Sequence, residues 1–445
     1  MLNNTPSVAS RGFTTNRYVN AILWDGNRLP RNTITYSFIN SNGYRWVPNG
    51  REVIESALDE WESVANIEFV RVSDNNTSAD FKLNLEDNAY FNGDGEGVPG
   101  SVALGRFSAP GLPDQGTGFF NVEELDGRNI GLEPGEVGYK TIVHEIGHGL
   151  GLGHPHDTSA NLSTTFPGIR NGDARNVGPG ALNQGVWTTM SYNNGFNNRG
   201  FESSPMAFDI AAVQHLYGAN PDHARGNNTY MLSDLDSYTA IWDTGGTDTI
   251  SGIRLGTGVN AQIDLRDAPL TGVNAGGYIS SAARSNAGFT IANRVKIENA
   301  QGSLSDDRLV GNRSNNILRG EAGRDRLIGL EGSDNLSGGS GDDTLIGTNS
   351  SVANSGFLEY DRLYGGDGRD LFILGDRAKA YYQSTGYATI ADFDRLEGDK
   401  ILVSGSLRDY SFANSQGGTD IFYREDRIGY VADVTNISTF DFEFA

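Results

Sequence analysis

The segment "HEIGHGLGLGHP", which begins at His144, contains three of the six histidines in the chain. His144 and His148 are four residues apart, and on a helix this spacing puts both imidazoles on one face. Glu145 flanks them, and Gly151 allows a left-handed turn that leads the chain back to the helix with His154. Three neutral histidines with one open position form the catalytic arrangement of zinc. The pattern H-E-x-x-H-x-x-G-x-x-H therefore predicts one catalytic zinc ion.

A second motif, "WTTMSYNN", could supply a turn beneath the metal site and a further ligand. Met190 would lie in a tight turn under the metal. The phenol of Tyr192 could reach zinc as an extra ligand and swing away to hydrogen-bond the transition state. His156 and His215 are interpreted as hydrogen-bonded structural or surface residues, and His223 lies near a predicted domain boundary.

The elements that must position these residues are predicted to be mixed α/β between about residues 30 and 220. In "TITYSFI" the apolar residues Ile34, Tyr36 and Phe38 alternate as in a half-buried strand. In "NGREVIESALDEWESVANIEF" the apolar positions repeat at three and four, which predicts a helix packed on a sheet. "IEFVRV" and "ADFKLNL" add two strands, so the order fits a twisted sheet backed by helices.

After about residue 245 a nine-residue period replaces the helical one, with glycine at 302, 311, 320, 329, 338 and 347. The units read "GSLSDDRLV", "GNRSNNILR", "GEAGRDRLI", "GLEGSDNLS" and "GGSGDDTLI", and an isolated "GGDGRDLFI" begins at Gly365. Each fits G-G-x-G-x-D-x-U-x in part or whole, which predicts an all-β parallel β-roll. The apolar eighth positions should point inward, and they are Leu309, Leu318, Leu327, Leu336, Leu345 and Phe372.

The sixth positions of these units should lie in the turns of the roll, and they are Asp307, Asn316, Asp325, Asp334, Asp343 and Asp370. Stacked turns bring carboxylates close together, which is unfavourable unless a cation neutralises them. Calcium suits this role because it takes many oxygen ligands in flexible geometry, backbone carbonyls included. We therefore expect several structural calcium ions, with a weaker site at Asn316. The alternative is an acidic, solvated surface on a metal-free solenoid.

The composition limits which binding partners and which cellular compartment are expected. The formal net charge of -22 argues against nucleic acid or an anionic membrane as a partner, because both would repel such a surface. The chain has no cysteine, so any metal must bind His, Asp, Glu, Tyr or backbone oxygen. No apolar stretch is long enough to span a membrane, and the first residues lack a conventional secretory signal. These signals alone would predict a cytoplasmic protein, with a monomer as the default.

Together these motifs resemble the serralysin family, zinc endopeptidases of the metzincin clan that carry a calcium-binding RTX repeat domain. The resemblance rests on "HEIGHGLGLGHP", "TTMSY", "DIAAVQHLYGAN", "WDTGGTDTI", "VKIENAQG" and the nonapeptides. It implies a zincin-type α/β catalytic domain with a twisted five-stranded sheet, followed by the β-roll. The implied zinc-site residues are the ligands His144, His148, His154 and Tyr192, the general base Glu145, and Met190 in the floor turn.

The resemblance also implies two calcium sites before the regular repeats. The first would use oxygens of Arg225, Asn227, Thr229, Asp243, Gly245 and Asp248. The second would use oxygens of Gly246, Asp248, Lys296 and Glu298. Two residues depart from the family pattern, since Asn227 and His156 stand where glycine is usual. His156 would alter the rim of the zinc cleft.

The resemblance divides the chain into an N-terminal extension at 1–20, which is a candidate pro-segment, a catalytic domain at 21–222, and a calcium-binding roll at 223–445. The family is exported by a type I secretion apparatus that reads an uncleaved C-terminal signal. Here "STFDFEFA" supplies Asp441 followed by two phenylalanines. The resemblance thus implies a secreted, extracellular protein, in which abundant external calcium would couple folding to export.

The expected reaction is hydrolysis of peptide bonds in proteins or peptides by Glu-assisted attack of zinc-bound water, with the Tyr192 hydroxyl helping to stabilise the oxyanion. The substrate should bind extended along an edge strand, for which "GSVALGRFS" at 100–108, with Val102, Ala103 and Leu104, is the best candidate. Two alternatives stay open. One is a non-enzymatic, calcium-stabilised adhesin or binding module, and the other is a protease devoted to a single target.

Overall fold

The computed structural model describes residues 8–93, 105–125, 131–158, 164–195, 200–232 and 237–445. Up to about residue 220 the described chain is mixed α/β, and beyond that point it is almost entirely strands and turns. The change of architecture follows the change of sequence period from 3.6 and 2 to nine residues. The predicted fold class is confirmed.

The first part contains a sheet whose described strands follow the order β4-β3-β5-β7-β6. In chain order its elements are β1 Ala9–Ser10, α1 Arg17–Ala21, β2 Asn27–Arg28, β3 Thr33–Ile39, α2 Pro48–Val64, β4 Glu68–Arg71, β5 Phe81–Glu86, α3 Asn88–Gly93, β6 Gly105–Phe107, β7 Thr117–Asn121, α4 Val137–Leu150, β8 Phe201–Glu202 and α5 Ala207–Tyr217. Strands β3, β4, β5 and β7 pair in parallel, and β6 pairs antiparallel with β7 at the edge.

The helix that the apolar stripe predicted is α2, but its main packing partner is the helix α4 and not the sheet. Its buried face includes Ile54, Leu58 and Trp61, none more than 1% exposed. The indole N–H of Trp61 donates to the carbonyl of Val143 in α4 at 3.0 Å. This contact fixes α4, the helix that carries the first two candidate metal ligands.

The second part contains a roll of two large sheets. Its strands are β9 Thr229–Met231, β10 Ser237–Ile241, β11 Thr249–Ser251, β12 Ala261–Asp264, β13 Ser281–Ala282, β14 Gly288–Ile291, β15 Asn299–Gln301, β16 Arg308–Val310, β17 Ile317–Ala322, β18 Arg326–Leu330, β19 Asn335–Ser340, β20 Thr344–Thr348, β21 Tyr360–Asp367, β22 Leu371–Ile373, β23 Tyr387–Ile390, β24 Lys400–Val403, β25 Tyr410–Ser415, β26 Gly418–Tyr423, β27 Asp426–Val431 and β28 Phe442–Phe444. One large sheet includes β15-β17-β19-β21-β23, and the other includes β16-β18-β20-β22-β24-β28. Strands β10 and β14 form a separate three-stranded sheet with β8.

Successive nonapeptides alternate between these two sheets. Leu318 is in parallel register with Leu336 in one sheet, and Leu309 is in register with Leu327 in the other. Two repeats therefore make one coil of the roll. Every apolar eighth position from Leu309 to Phe372 is fully buried, because the side chains of both sheets fill the space between them.

The N-terminal residues connect the two parts. Helix α1 packs against α5, and the side-chain amide of Asn16, which also caps α1, donates to the carbonyl of Leu270 in the roll at 2.9 Å. The backbone N–H of Trp24 donates to the carbonyl of Gly151 at the end of α4. In the described part of the chain, no helix has both the length and the apolar character needed to cross a bilayer.

Candidate metal centre

The first two histidines and Glu145 lie on α4, where the four-residue spacing placed them. The helix ends at Gly151, whose φ of 105° is left-handed. A side chain at this position would place its Cβ 2.3 Å from the carbonyl oxygen of Asn27, so only glycine fits. The turn reverses the chain and brings His154 to the face that carries His144 and His148.

The three imidazoles point their Nε2 atoms at one another. The Nε2 of His154 lies 3.2 Å from that of His144 and 3.0 Å from that of His148. Each Nδ1 lies instead 2.8 Å from an acceptor, which is the carbonyl of Thr189, the carbonyl of Leu152 or the carboxylate of Asp157. An acceptor at Nδ1 fixes the proton there, so each neutral ring directs an Nε2 lone pair into the shared space. These lone pairs repel unless a cation lies between them, and the site therefore fits a metal ion.

Burial keeps the rings neutral, which is the form that binds zinc. It lowers the pKa of His148 to about 4, and burial together with the neighbouring imidazoles lowers the pKa values of His144 and His154 well below the usual value. Burial raises the pKa of Glu145 to about 8, although the Phe107 backbone N–H and the Arg106 charge oppose the shift. A cation among the Nε2 atoms would lower it again, because it favours the carboxylate.

Met190 lies fully buried against α4. A Cβ on Gly147 would lie only 2.7 Å from the Sδ of Met190, so glycine at this helix position admits the methionine. The neighbouring Thr189 supplies the carbonyl that orients His144. The turn therefore contacts both the backbone of the helix and one of the candidate ligands.

Asp209, at the start of α5, holds this turn and was not identified from the sequence. Its Oδ1 accepts from the Thr188 hydroxyl at 2.6 Å, and its Oδ2 accepts from the backbone N–H groups of Thr189 and Met206 at 2.5 and 2.9 Å. A lone aspartate in the apolar run "PMAFDIAAV" was the available signal, since a buried carboxylate needs such donors.

Tyr192 lies on the open side of the centre with 58% of its surface exposed. Its ring centroid is 4.5 Å from that of His154 and 4.8 Å from that of His156. His156 is buried and stacks on His154 with centroids 5.0 Å apart and 10° between the ring planes. His156 thus forms part of the wall of the centre. The Nε2 of His215 lies instead 3.0 Å from the carbonyl oxygen of Gly12.

The edge strand β6 runs beside Glu145. A Cβ on Gly105 would lie 3.0 Å from the Cγ of Glu145, and the backbone N–H of Phe107 hydrogen-bonds the carboxylate. The sequence placed the substrate strand at 100–108. Of that stretch, Val102, Ala103 and Leu104 lie outside the described residues.

In the roll, four predicted turn aspartates share one arrangement. The Oδ1 of each accepts a backbone N–H from the turn one coil earlier at 2.7 to 2.9 Å. The Oδ2 of each is buried and has no hydrogen-bond partner among the described residues, and the four are Asp325, Asp334, Asp343 and Asp370. Burial raises their pKa values, to about 9 at Asp334 and about 7 at Asp343. An orphaned, buried carboxylate oxygen is costly, and these four fit a calcium ion.

Two predicted positions differ from these four. Both oxygens of Asp307 accept hydrogen bonds, from the backbone and hydroxyl of Ser303 and the backbone of Ala261. The amide of Asn316 donates to the carbonyl of Glu298 at 2.9 Å. Neither position has the orphaned oxygen that the other turns show.

The carboxylates implied for the earlier calcium sites lie together. The backbone N–H of Asp248 donates to Glu298 at 2.8 Å, and burial together with the charges of Asp243 and Glu298 raises the pKa of Asp248. The Oδ2 of Asp248 is buried and has no partner among the described residues. This group therefore also fits a cation.

Thr229 is the first residue of β9 and pairs with Thr249, next to Asp248. The other residues implied for these sites lie outside the strands, and they are Arg225, Asn227, Gly245, Gly246 and Lys296. Asn227, at the usual glycine position, accepts the backbone N–H of Thr247 at 3.0 Å through its side chain. The side chain of Arg225 is paired with Asp222 at 2.6 Å.

Two family profiles match the chain in the order of its two parts. Residues 25–176 match "Matrixin" of peptidase family M10, and residues 207–414 match "Peptidase M10 serralysin C terminal". The chain is a serralysin-like metzincin. The first match contains the three converging histidines, and the second contains the orphaned carboxylates of the roll.

Named relatives agree with these profiles. Serralysin of Proteus mirabilis is 32% identical over 63% of this chain and 57% of its own length. Serralysin B of Dickeya chrysanthemi is 32% identical over 64% of this chain and 60% of its own length. Metallopeptidase AprA of Pseudomonas marginalis is 30% identical over 59% of this chain and 54% of its own length. The serralysin-like chain thus spans less than two thirds of each of these relatives.

Proposed function

We propose that this chain is a zinc-dependent endopeptidase that hydrolyses peptide bonds in proteins. The observation that carries the proposal is the convergence of three Nε2 atoms, each ring held by an acceptor at its Nδ1, beside a buried glutamate. His144, His148 and His154 would hold the zinc ion, with Tyr192 as a further ligand. When bound there, zinc supplies a Lewis acid that activates water and polarises the peptide carbonyl.

Glu145 is the general base in this proposal. It follows His144 directly on α4, and its carboxylate is kept in place by the Phe107 backbone N–H. It takes the proton from the attacking water and passes it to the leaving amine. The Tyr192 hydroxyl donates to the oxyanion that develops on the carbonyl, and Met190 supports the ligands through its turn.

The substrate would bind as an extended chain along the edge of the sheet. Strand β6 lies at this edge, and Gly105 comes close to Glu145. Pairing of main chain with main chain reads little sequence, which suits cleavage of many proteins. Val102, Ala103 and Leu104, which directly precede β6, would continue the binding strand.

The roll would serve as a calcium-stabilised partner of the catalytic domain. The orphaned oxygens in its turns support several structural calcium ions. We propose the division into an extension at 1–20, a catalytic domain at 21–222 and a roll at 223–445. The protein would leave the cell through a type I apparatus, fold outside with calcium, and act as a monomer on protein substrates.

Replacement of Glu145 by glutamine tests the catalytic proposal. The variant should lose about 10²- to 10⁴-fold in casein hydrolysis, because glutamine cannot accept the proton. Its zinc content, measured by mass spectrometry, and its melting temperature should match the wild type. Glu52→Gln, at an exposed position of α2, is the matched control and should keep full activity.

Zinc-dependent hydrolysis that survives at substantial rate in Glu145→Gln would contradict the assignment of the base. A wild-type protein loaded with both metals that cleaves neither casein nor any other protein would support the non-enzymatic binding module instead. Cleavage of one protein among many offered would support the dedicated protease.

A further inference from the structure

The stack of turns is interrupted after β20. Leu318 pairs with Leu336, eighteen residues on, whereas Leu336 pairs with Leu363, twenty-seven residues on. The extra residues lie between β20 and β21. Asp361 nevertheless takes the place of the next turn aspartate, because its Oδ1 accepts the backbone N–H of Asp334 at 2.8 Å. The interruption hid this position from the nine-residue period.

Asp361 differs in its second oxygen from the turn aspartates that have an orphaned oxygen. The Tyr382 hydroxyl donates to Oδ2 of Asp361 at 2.5 Å. Both residues are buried, with exposures of 1% for Asp361 and 0% for Tyr382. The corresponding oxygens of Asp334 and Asp343 have no partner among the described residues. The hydroxyl therefore satisfies the oxygen that elsewhere fits a cation.

The glycine of each turn shows what surrounds this oxygen. A Cβ on Gly329 would lie 2.1 Å from Oδ2 of Asp334 and 2.3 Å from the carbonyl oxygen of Gly347 in the next coil. A Cβ on Gly347 would lie 2.2 Å from Oδ2 of Asp361, but its next neighbour is the Tyr382 hydroxyl at 2.3 Å. A phenol thus stands beside Asp361 where a backbone carbonyl stands beside Asp334.

The chain adopts a strained conformation to place this phenol. Tyr382 has a φ of 58°, in the left-handed region that is unfavourable for an aromatic residue. The inserted segment holds it there, since the backbone N–H of Tyr382 donates to the carbonyl of Ser355 at 2.7 Å. A Cβ on Gly356 would lie 2.4 Å from the ring, so glycine is needed for the segment to close over it. Strain of this kind persists where the surroundings over-determine the conformation.

We propose that Tyr382 closes this column of turns without metal. Its hydroxyl hydrogen-bonds the buried oxygen of Asp361, whereas calcium ions bind the corresponding oxygens of Asp334 and Asp343. The turn of Asp361 therefore binds no calcium, and the inserted segment forms an end cap for the column. Strand β21 still pairs with β23, where Ala388 lies opposite Asp361, so the cap ends the column of aspartate turns and not the sheet. The inference rests on the calcium binding proposed above.

Calcium bound per chain, measured by mass spectrometry after dialysis against millimolar calcium, tests the cap in the full-length protein. Asp343→Asn should lose at least one ion relative to the wild type, and Asp361→Asn should lose none. Loss of an ion from both variants would overturn the cap and leave the calcium proposal standing. Retention of every ion in Asp343→Asn would overturn the calcium proposal on which the cap rests.

A second pair of variants decides the matter if Asp361→Asn does not fold. Tyr382→Phe leaves the buried oxygen of Asp361 without a partner, so it should melt below the wild type at saturating calcium. More calcium should not remove the deficit, because the aromatic ring still occupies the place that a backbone carbonyl takes beside Asp334. Tyr381→Phe is the control, since its hydroxyl contacts Asp376 at 3.1 Å and not Asp361. A Tyr382→Phe protein that melts with Tyr381→Phe and the wild type would overturn the proposal.

Discussion

At the metal centre, the position of the proton on each imidazole follows from the atom that its Nδ1 faces. The sequence pattern predicted which histidines come together, because helix periodicity and a left-handed glycine suffice for that. The histidine pattern did not identify the residues that orient these rings, since Thr189 contributes only a backbone carbonyl and Asp209 acts through that turn. The signal for Asp209 lay outside the pattern, in an apolar run that contains one aspartate. His156 appeared as a structural or surface residue, and its stacking on His154 depends on a loop path that periodicity does not encode.

Asp209→Ala should weaken the centre from a distance. The change leaves the Thr188 hydroxyl and the Thr189 and Met206 backbone N–H groups buried without their acceptor, at a cost of about 1–3 kcal/mol each. We expect a lower melting temperature and a zinc affinity about 10-fold lower, because the Thr189 carbonyl orients His144. Competition with a chromogenic chelator measures the affinity, and the exposed Asp222→Ala is the control. Unchanged zinc affinity would contradict the support assigned to this turn.

At the level of the elements, regular periods predicted well and interruptions did not. The stripe of α2, the alternation of β3 and the buried eighth positions of the repeats all follow from side-chain direction. The turn of Asp361 was missed because the insertion before β21 shifts the period, although the parallel register resumes at Leu363. The strand pairing therefore identifies the turn aspartate that the nine-residue spacing does not.

The end of α4 gives a prediction at this scale. Gly151→Ala would combine a left-handed φ of 105° with a Cβ 2.3 Å from the carbonyl of Asn27. The turn must shift, so we expect a loss of stability above about 1 kcal/mol and weaker zinc binding as His154 moves. Gly172→Ala isolates the backbone cost, because its φ is 77° and no atom lies within 4 Å of the added Cβ. Equal zinc affinity in the two variants would argue against the turn as the positioning element.

For the molecule as a whole, the roll concentrates acidic groups that its own donors do not balance. The net charge of -22 and the orphaned oxygens of the turns both favour bound cations. Asn16 and Trp24 connect the N-terminal residues to the roll and to the end of α4. Loss of order in the roll should therefore destabilise the part of the chain that contains the candidate metal centre.

Removal of calcium should destabilise the whole chain. Each site saturated about 100-fold above its dissociation constant adds about 2.7 kcal/mol to the folded state. Chelator should therefore lower the melting temperature and reduce the strand signal in circular dichroism. Readdition of calcium should restore both, and magnesium should not, because it demands a stricter octahedral geometry. Identical melting curves in chelator and in calcium would refute the structural role of the ion.

The C-terminal segment should contribute to the pH dependence of stability. Burial alone would raise the pKa of Asp441, but hydrogen bonds from Arg395 and Ser438 outweigh it and hold the pKa below the usual value of 3.8. The pair therefore stabilises the fold above pH 3.8, and the contribution is lost as the pH falls through the folded-state pKa. Arg395→Ala should cost about 1–3 kcal/mol at neutral pH, with the gap closing in acid. Thermal melts across pH measure this, with exposed Arg408→Ala as control, and a gap constant with pH would contradict it.

Strand β28 gives the proposed export label an unusual property. In the folded chain Asp441 is fully buried against Arg395, and Phe442 to Phe444 pair with β24 as the edge strand of the sheet. A transporter that recognises this C-terminal signal must do so before β28 pairs with β24. Folding outside the cell would then bury the signal, so a folded molecule could not be exported again or carried back.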